Sequence, residues 1–147
     1  MQPAITTRPS NPSDAEFFYR LVATTMKESV TFAFGEWDDQ QVRTEALDFG
    51  KSPHGRVIEG DGTPVGILWV VREDSHLYVR LICVAETAQG GGIGAVVMRE
   101  VLAAAAKQSL PVRLRALLYG GAKGFYEKLG FRVTEATPKF AYMEHAP

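Results

Sequence analysis

Four glycines, Gly90, Gly91, Gly92 and Gly94, separate two apolar runs in "LYVRLICVAETAQGGGIGAVVMREV", Leu77–Val101. Glycine is a poor residue with which to start a helix. Yet Val96, Val97, Val101, Leu102 and Ala105 follow at helical spacing and supply one apolar side through about Gln108. The stretch therefore reads as a buried strand, a glycine loop and a helix. A helix N-terminus leaves four amide N–H groups without internal partners and carries partial positive charge. With side chains removed, phosphate or pyrophosphate is a natural ligand there. The plain alternative is a tight turn that binds nothing.

Periodicity extends the pattern to both sides. A short extended piece at about Ile5 to Arg8 precedes "SNPSD", where Ser13 and Asp14 are good helix caps. Phe17, Phe18, Leu21, Val22 and Thr25 predict a helix from Ala15 to about Glu28, whereas "SVTFAFGEWDD" keeps neither period. Asp38 or Asp39 caps a second helix through about Phe49, with Val42, Ala46, Leu47 and Phe49 on its apolar side. Three β-branched runs at about 55–60, 64–73 and 76–84 are joined by "GDGT" and "EDS", as in an antiparallel meander. Beyond Pro111, "VRLRALLY" reads as a strand and "GAKGFYEKLG" as a short helix stopped by Gly130. "FRVTEA" and "KFAYMEH" are two more strands, which makes a mixed α/β sheet without repeats or linkers.

Composition narrows the partners. The chain has 147 residues, one domain by length, and 16 basic against 17 acidic residues. No basic arm suggests a nucleic-acid footprint. The apolar runs fall short of the roughly 20 residues that span a bilayer, and the polar start has no signal core. A cytoplasmic protein with neither a nucleic-acid nor a membrane partner is expected. Cys83 is the single cysteine, so neither a disulfide framework nor a multi-cysteine metal site is expected, and a buried strand residue is.

Three phosphate-binding designs compete for the glycines. A Walker loop needs Lys and then Ser or Thr after the last glycine, but Ala95, Val96 and Val97 follow Gly94. A dinucleotide fold needs an acidic residue at the end of the next strand, and "VRLRALLYGG" has none. In the third, "QGGGIG", Gln89 to Gly94, matches the Q/R-x-x-G-x-G/A signature of the GCN5-related N-acetyltransferases (GNAT). Downstream, "FYEKLGFR", Phe125 to Arg132, resembles their second motif, a short helix with a tyrosine that ends in Gly-Phe. The two in this order, with a helix and a strand between them, extend the resemblance over nearly the whole chain.

That resemblance implies the acyl-CoA N-acyltransferase fold: a central, mostly antiparallel sheet of about six to seven strands flanked by about four helices. It implies acetyl-CoA as acyl donor, with the backbone of Gln89, Gly90, Gly91, Gly92, Ile93, Gly94 and Ala95 around the pyrophosphate. Cys83 and Val84, at the end of their strand, would pair with the pantetheine arm. The Val84 N–H would stabilise the acyl oxygen, and Tyr126 would protonate the departing thiol. A phenol near pKa 10 giving a proton to a thiol near 8.5 is uphill by about 2 kcal/mol unless the site tunes it. Without the motif, Tyr126 reads as an aromatic core residue.

For the base, His76 stands near the start of the strand that leads into the loop, where some members carry a carboxylate; a solvent-exposed histidine is the alternative. His54 is equally ambiguous. Glu36, Asp38 and Asp39 suit a cationic amine, with Trp37 offering a cation–π face, although helix capping explains one aspartate and core packing explains Trp37. Two departures stand out: Tyr119 and Gly120 where an asparagine is common, and neutral Gly91 where a basic residue is common. Lys123 and Lys128 are candidates to supply the missing charge. The activity implied is acetyl transfer to a small primary amine. A peptide or protein amine, or a noncatalytic acyl-CoA-binding module, are the alternatives. Members of the family often pair as homodimers.

Overall fold

Side-chain period and a few capping residues account for most element boundaries. A computed structural model describes residues 4–147. Its elements are β1 (Ile5–Pro9), α1 (Ala15–Phe34), α2 (Asp39–Lys51), β2 (Gly55–Gly60), β3 (Thr63–Arg72), β4 (Leu77–Val84), α3 (Ile93–Lys107), β5 (Val112–Leu117), α4 (Ala122–Lys128), β6 (Arg132–Ala136) and β7 (Phe140–His145). The strand order is β1-β2-β3-β4-β5-β7-β6 in a seven-stranded sheet. Pairing is antiparallel for β1/β2, β2/β3, β5/β7 and β6/β7, and parallel for β4/β5. This is the mixed sheet, mostly antiparallel and flanked by four helices, that the sequence implies.

The chain divides into two compact units: residues up to Val70 together with Arg80–Gly94, and Val71–Val79 together with Ala95–Pro147. In the first, Phe18 of α1 and Phe49 of α2 lie 4.9 Å apart by ring centroid, and both meet Trp69 of β3 edge-on. All three rings are buried, and the Trp69 indole N–H donates to Ser52 Oγ at 3.2 Å. The start of α1 is tied down by charge. Arg8 donates from both terminal nitrogens to Asp14, at 2.9 and 2.8 Å, and from Nε to Glu59 at 3.2 Å. Asn11 makes the capping box, accepting from the Ser13 N–H while Asp14 accepts from the Asn11 N–H. Asp14 is the N-cap of α1, as expected, but its carboxylate makes no bond to the helix because Arg8 and the Asn11 N–H engage it, while Asn11 caps the 3-10 turn Pro12–Asp14 just before.

In the second unit, β5 alternates buried Val112, Leu114 and Ala116 with exposed Arg113 and Arg115. Tyr126 of α4 packs edge-on against Phe125 and Phe131, with centroids 5.1 and 5.5 Å away. Gly130 ends α4 as expected: φ is +98°, and a Cβ there would lie 3.1 Å from His145 Nε2. The left-handed backbone favours glycine, and the close His145 ring adds to that preference.

Three expectations need correction. α1 runs on to Phe34, through the segment that lacks a period, because its last turns bury little: Thr24, Glu28, Phe32 and Phe34 are exposed. Its stop is Gly35 at φ +81°, whose N–H donates to Thr31 O at 2.7 Å. Leu47 of α2 and Val96 of α3 are 55% and 40% exposed and lie off the buried stripes, whereas Val42, Ala46, Phe49, Val97 and Ala105 are buried as expected. On α3 the buried positions are Ile93, Val97, Met98 and Ala105.

Candidate functional site

β4 delivers the chain into the glycine loop, and three contacts fix its end. Ala85 N–H donates to Val65 O at 2.8 Å, and the Gln89 carboxamide donates to Val84 O at 2.9 Å. Thr25 Oγ1 of α1 lies 2.7 Å from Cys83 Sγ and 2.8 Å from Leu21 O. The Thr25 hydroxyl has one proton and gives it to the Leu21 carbonyl, so the Cys83 S–H is the donor to Thr25. Burial, the largest cause, pushes the Cys83 thiol up. Cys83 is therefore an inert, protonated thiol, the buried strand residue that its place in "LYVRLICV" suggests.

The loop itself is built for backbone approach. Gly90 and Gly92 have φ of +87° and +78°, where other residues are strained, and α3 begins at Ile93. A Cβ on Gly90 or Gly92 would meet nothing within 4 Å, so packing within the described residues does not exclude side chains; backbone conformation does. Gly91 has neither constraint: its φ is not positive, and the nearest atom to a Cβ is Ala88 O at 3.9 Å. The open cradle at the head of α3 suits a diphosphate.

Gln89 to Gly94, Cys83 and Val84 belong to the first unit, together with Glu36, Trp37 and Asp38; Ala95, His76 and Tyr126 belong to the second. Asp38 is the N-cap of α2, its carboxylate accepting from Gln41 N–H at 3.1 Å. The Trp37 indole donates at 3.3 Å to Asp39, which also accepts from Tyr19 and, at 3.0 Å, from Arg43 Nε. The Tyr19 bond and then the Arg43 bond hold Asp39 below the usual carboxylate range. Arg43 also stacks on the Tyr19 ring at 3.9 Å. Of the acidic group, Glu36 alone among the described residues keeps a carboxylate without a hydrogen-bond or ion-pair partner.

His76 stands just before β4, with its ring 6.4 Å from that of Tyr78. Its Nδ1 is 3.4 Å from Arg113 Nη1 and 3.0 Å from Ser75 Oγ. A guanidinium only donates, so Nδ1 accepts and the ring proton sits on Nε2. His54 is exposed, its backbone N–H held by Ser52 Oγ at 3.1 Å. Lys123 pairs with Glu127 at 3.3 Å on α4. Among the described residues, no group of three His, Cys, Asp or Glu side chains is placed to hold a metal ion, and no helix is long and apolar enough to cross a membrane.

A family model described as an acetyltransferase (GNAT) domain matches residues 22–147, from within α1 to the last residue. The chain belongs to the GNAT acetyltransferases. No curated protein matches it in sequence. The GNAT fold is shared with PaiA N-acetyltransferase of Thermoplasma acidophilum, solved in complex with coenzyme A, at 15% identity over 98% of this chain and 99% of that one, TM-score 0.76. It is also shared with Ard1 of Thermoplasma volcanium, at 23% identity, 97% coverage of each chain and TM-score 0.75. An acetyltransferase of Thermus thermophilus aligns over 100% of both chains at 17% identity and TM-score 0.79. The matched domain is an acetyltransferase domain, and GNAT domains use acetyl-CoA as acyl donor.

Sequence reasoning passed over two residues of this site. Thr25 carries no signal beyond a helical position. Gly66 does carry one, a lone glycine inside the apolar strand "PVGILWVV", which marks a bulge or a close backbone approach.

Proposed function

We propose that this GNAT domain transfers the acetyl group of acetyl-CoA to a small primary amine. The observation that supports this most is the loop Gln89–Gly94, opened by two left-handed glycines and bound to the end of β4 through Gln89 and Val84. Bound acetyl-CoA supplies the activated thioester. The amides from Gln89 to Ala95 hold its diphosphate, and Cys83 and Val84 offer strand backbone to the pantetheine arm. The Val84 N–H would supply the hydrogen bond that the acyl oxygen needs as it gains charge. Tyr126 would give its phenolic proton to the departing sulfur and recover one from solvent. Glu36, exposed and unpaired, attracts the cationic amine, while Trp37 supports Asp39 and Asp38 caps α2.

Because Nδ1 of His76 already accepts hydrogen bonds, this reading gives the amine proton to water. An amine of pKa near 8 is neutral about once in ten molecules at pH 7, whereas one of 10.4 is neutral about once in 2,500. The favoured acceptor is therefore an amine of low basicity, such as an α-amine. His76→Asn is expected to change kcat/KM less than about threefold; a loss near the hundredfold typical of a general base would return that role to His76.

The loop makes a paired prediction. Gly92→Val puts a β-branched residue at φ +78°, a strain of roughly 1–2 kcal/mol, and should weaken coenzyme A binding about tenfold or more. Gly91→Arg meets no steric barrier and adds a cation, so it should tighten binding severalfold, an effect that fades with salt. Calorimetric titration reads both.

The reading is tested by thiol release from acetyl-CoA with a panel of α-amino compounds, alkylamines, polyamines and peptides. Turnover with small amines supports it. Turnover restricted to peptides would move the acceptor to that class, and binding without turnover on any amine would mark a noncatalytic module.

A further inference from the structure

β4 breaks its own period next to the site. Arg80 lays its guanidinium over Trp69 at 3.9 Å, and Trp69 packs against Phe18 of α1 and Phe49 of α2. Arg80 therefore turns to the side of the sheet that carries those helices. Cys83 turns to the same side, because its sulfur meets Thr25 of α1. Residues three apart on a regular strand point to opposite faces. The strand must be irregular between them, as at a β-bulge.

Gly66 of β3 lies beside that irregularity. A Cβ there would stand 2.6 Å from the Cys83 carbonyl oxygen, 3.2 Å from Ile58 Cδ1 and 3.4 Å from Val84 Cα. A Cβ has no room so close to a backbone oxygen, so any other residue would displace β4. The Cys83 carbonyl and the Val84 N–H are the two ends of one peptide unit, and in a trans peptide they point in opposite directions. Seating the carbonyl against Gly66 therefore fixes where the Val84 N–H points. The next peptide unit is held at both ends, its carbonyl by Gln89 and the Ala85 N–H by Val65.

We propose that Gly66 is a positioning residue for acyl transfer: its missing side chain lets β4 bulge and aims the Val84 N–H, while the Gln89 carboxamide clamps the following peptide. This rests on the reading of Val84 as donor to the acyl oxygen. Gly66→Ala should lower turnover at least tenfold with a smaller loss of coenzyme A affinity, since the diphosphate loop is untouched and only the β4 backbone offered to the pantetheine arm shifts.

The lone Cys83 supplies a readout independent of activity. Its labelling by a disulfide reagent should be slow in the unaltered protein and at least tenfold faster in Gly66→Ala. Gly60→Ala in the neighbouring strand is the control: a Cβ there meets Val65 at 3.7 Å, an ordinary contact, and should change neither turnover nor labelling. A folded Gly66→Ala protein with turnover and labelling within twofold of the parent overturns the proposal. If Gly66→Ala does not fold, Gln89→Leu decides: a fivefold or greater loss of turnover with coenzyme A affinity kept supports the clamp, and unchanged turnover overturns it. Should the unaltered protein release no thiol with any amine, the proposed function falls, and Cys83 labelling still decides whether Gly66 sets this backbone.

Discussion

Tyr126→Phe is expected to lower kcat at least tenfold while coenzyme A affinity stays within about twofold. The side chain is 8% exposed and packs on Phe125 and Phe131, contacts that a phenylalanine keeps. The ring contacts stay and the hydroxyl goes, so a loss of kcat reports on the hydroxyl. General acids contribute about a hundredfold to ten-thousandfold in typical reactions. A thiolate leaves more readily than most groups, which puts the expected loss at the lower end. Parallel measurement of kcat and of coenzyme A binding separates the possibilities. Unchanged kcat would remove Tyr126 from the mechanism, and a loss confined to binding would make it a cofactor contact.

Asp14→Ala should be the most destabilising single change at the start of α1. Asp14 is 6% exposed and accepts two hydrogen bonds from Arg8 and one from the Asn11 N–H. Removing one partner of a buried pair costs about 3–5 kcal/mol. Arg8 keeps Glu59 and is a third exposed, so about 2–3 kcal/mol is expected here, or a fall in Tm of roughly 8 °C at this chain length.

The same carboxylate sets a pH dependence. Arg8 holds Asp14 below the usual carboxylate range, so its contribution is complete above about pH 4 and is lost as pH falls through the folded value. Asp14→Asn should therefore flatten the stability curve below about pH 4 and lower it above. Denaturant unfolding from pH 7 to pH 2 checks this. Parallel curves for the two proteins would contradict it.

What was legible in the sequence follows from where side chains report backbone. Strand and helix periods located every strand of the sheet and all four helices, and the glycine run with "FYEKLGFR" gave the family. Less legible were features set by tertiary contact. The last turns of α1 bury little, so no period announced them, and only the left-handed Gly35 marked their end. Asp14 sits at the N-cap of α1 as the sequence suggests, but its carboxylate is turned to Arg8, a pairing across 6 residues of sequence that no local rule supplies. The engagement of His76 by Arg113, 37 residues away, was likewise hidden, and it changes what the imidazole can do. Gly66 was visible as an odd residue in an apolar strand, but its meaning needed the position of the Cys83 carbonyl.

The central claim, that the glycine loop and β4 hold acetyl-CoA, is most directly tested by thermal unfolding with and without the cofactor. At about 100 times the dissociation constant, binding adds roughly 2.7 kcal/mol, a rise in Tm of about 8 °C for a chain of this size. A saturable rise, diminished in Gly92→Val, is the predicted result. No rise up to millimolar acetyl-CoA would contradict the account and leave the glycines as a turn.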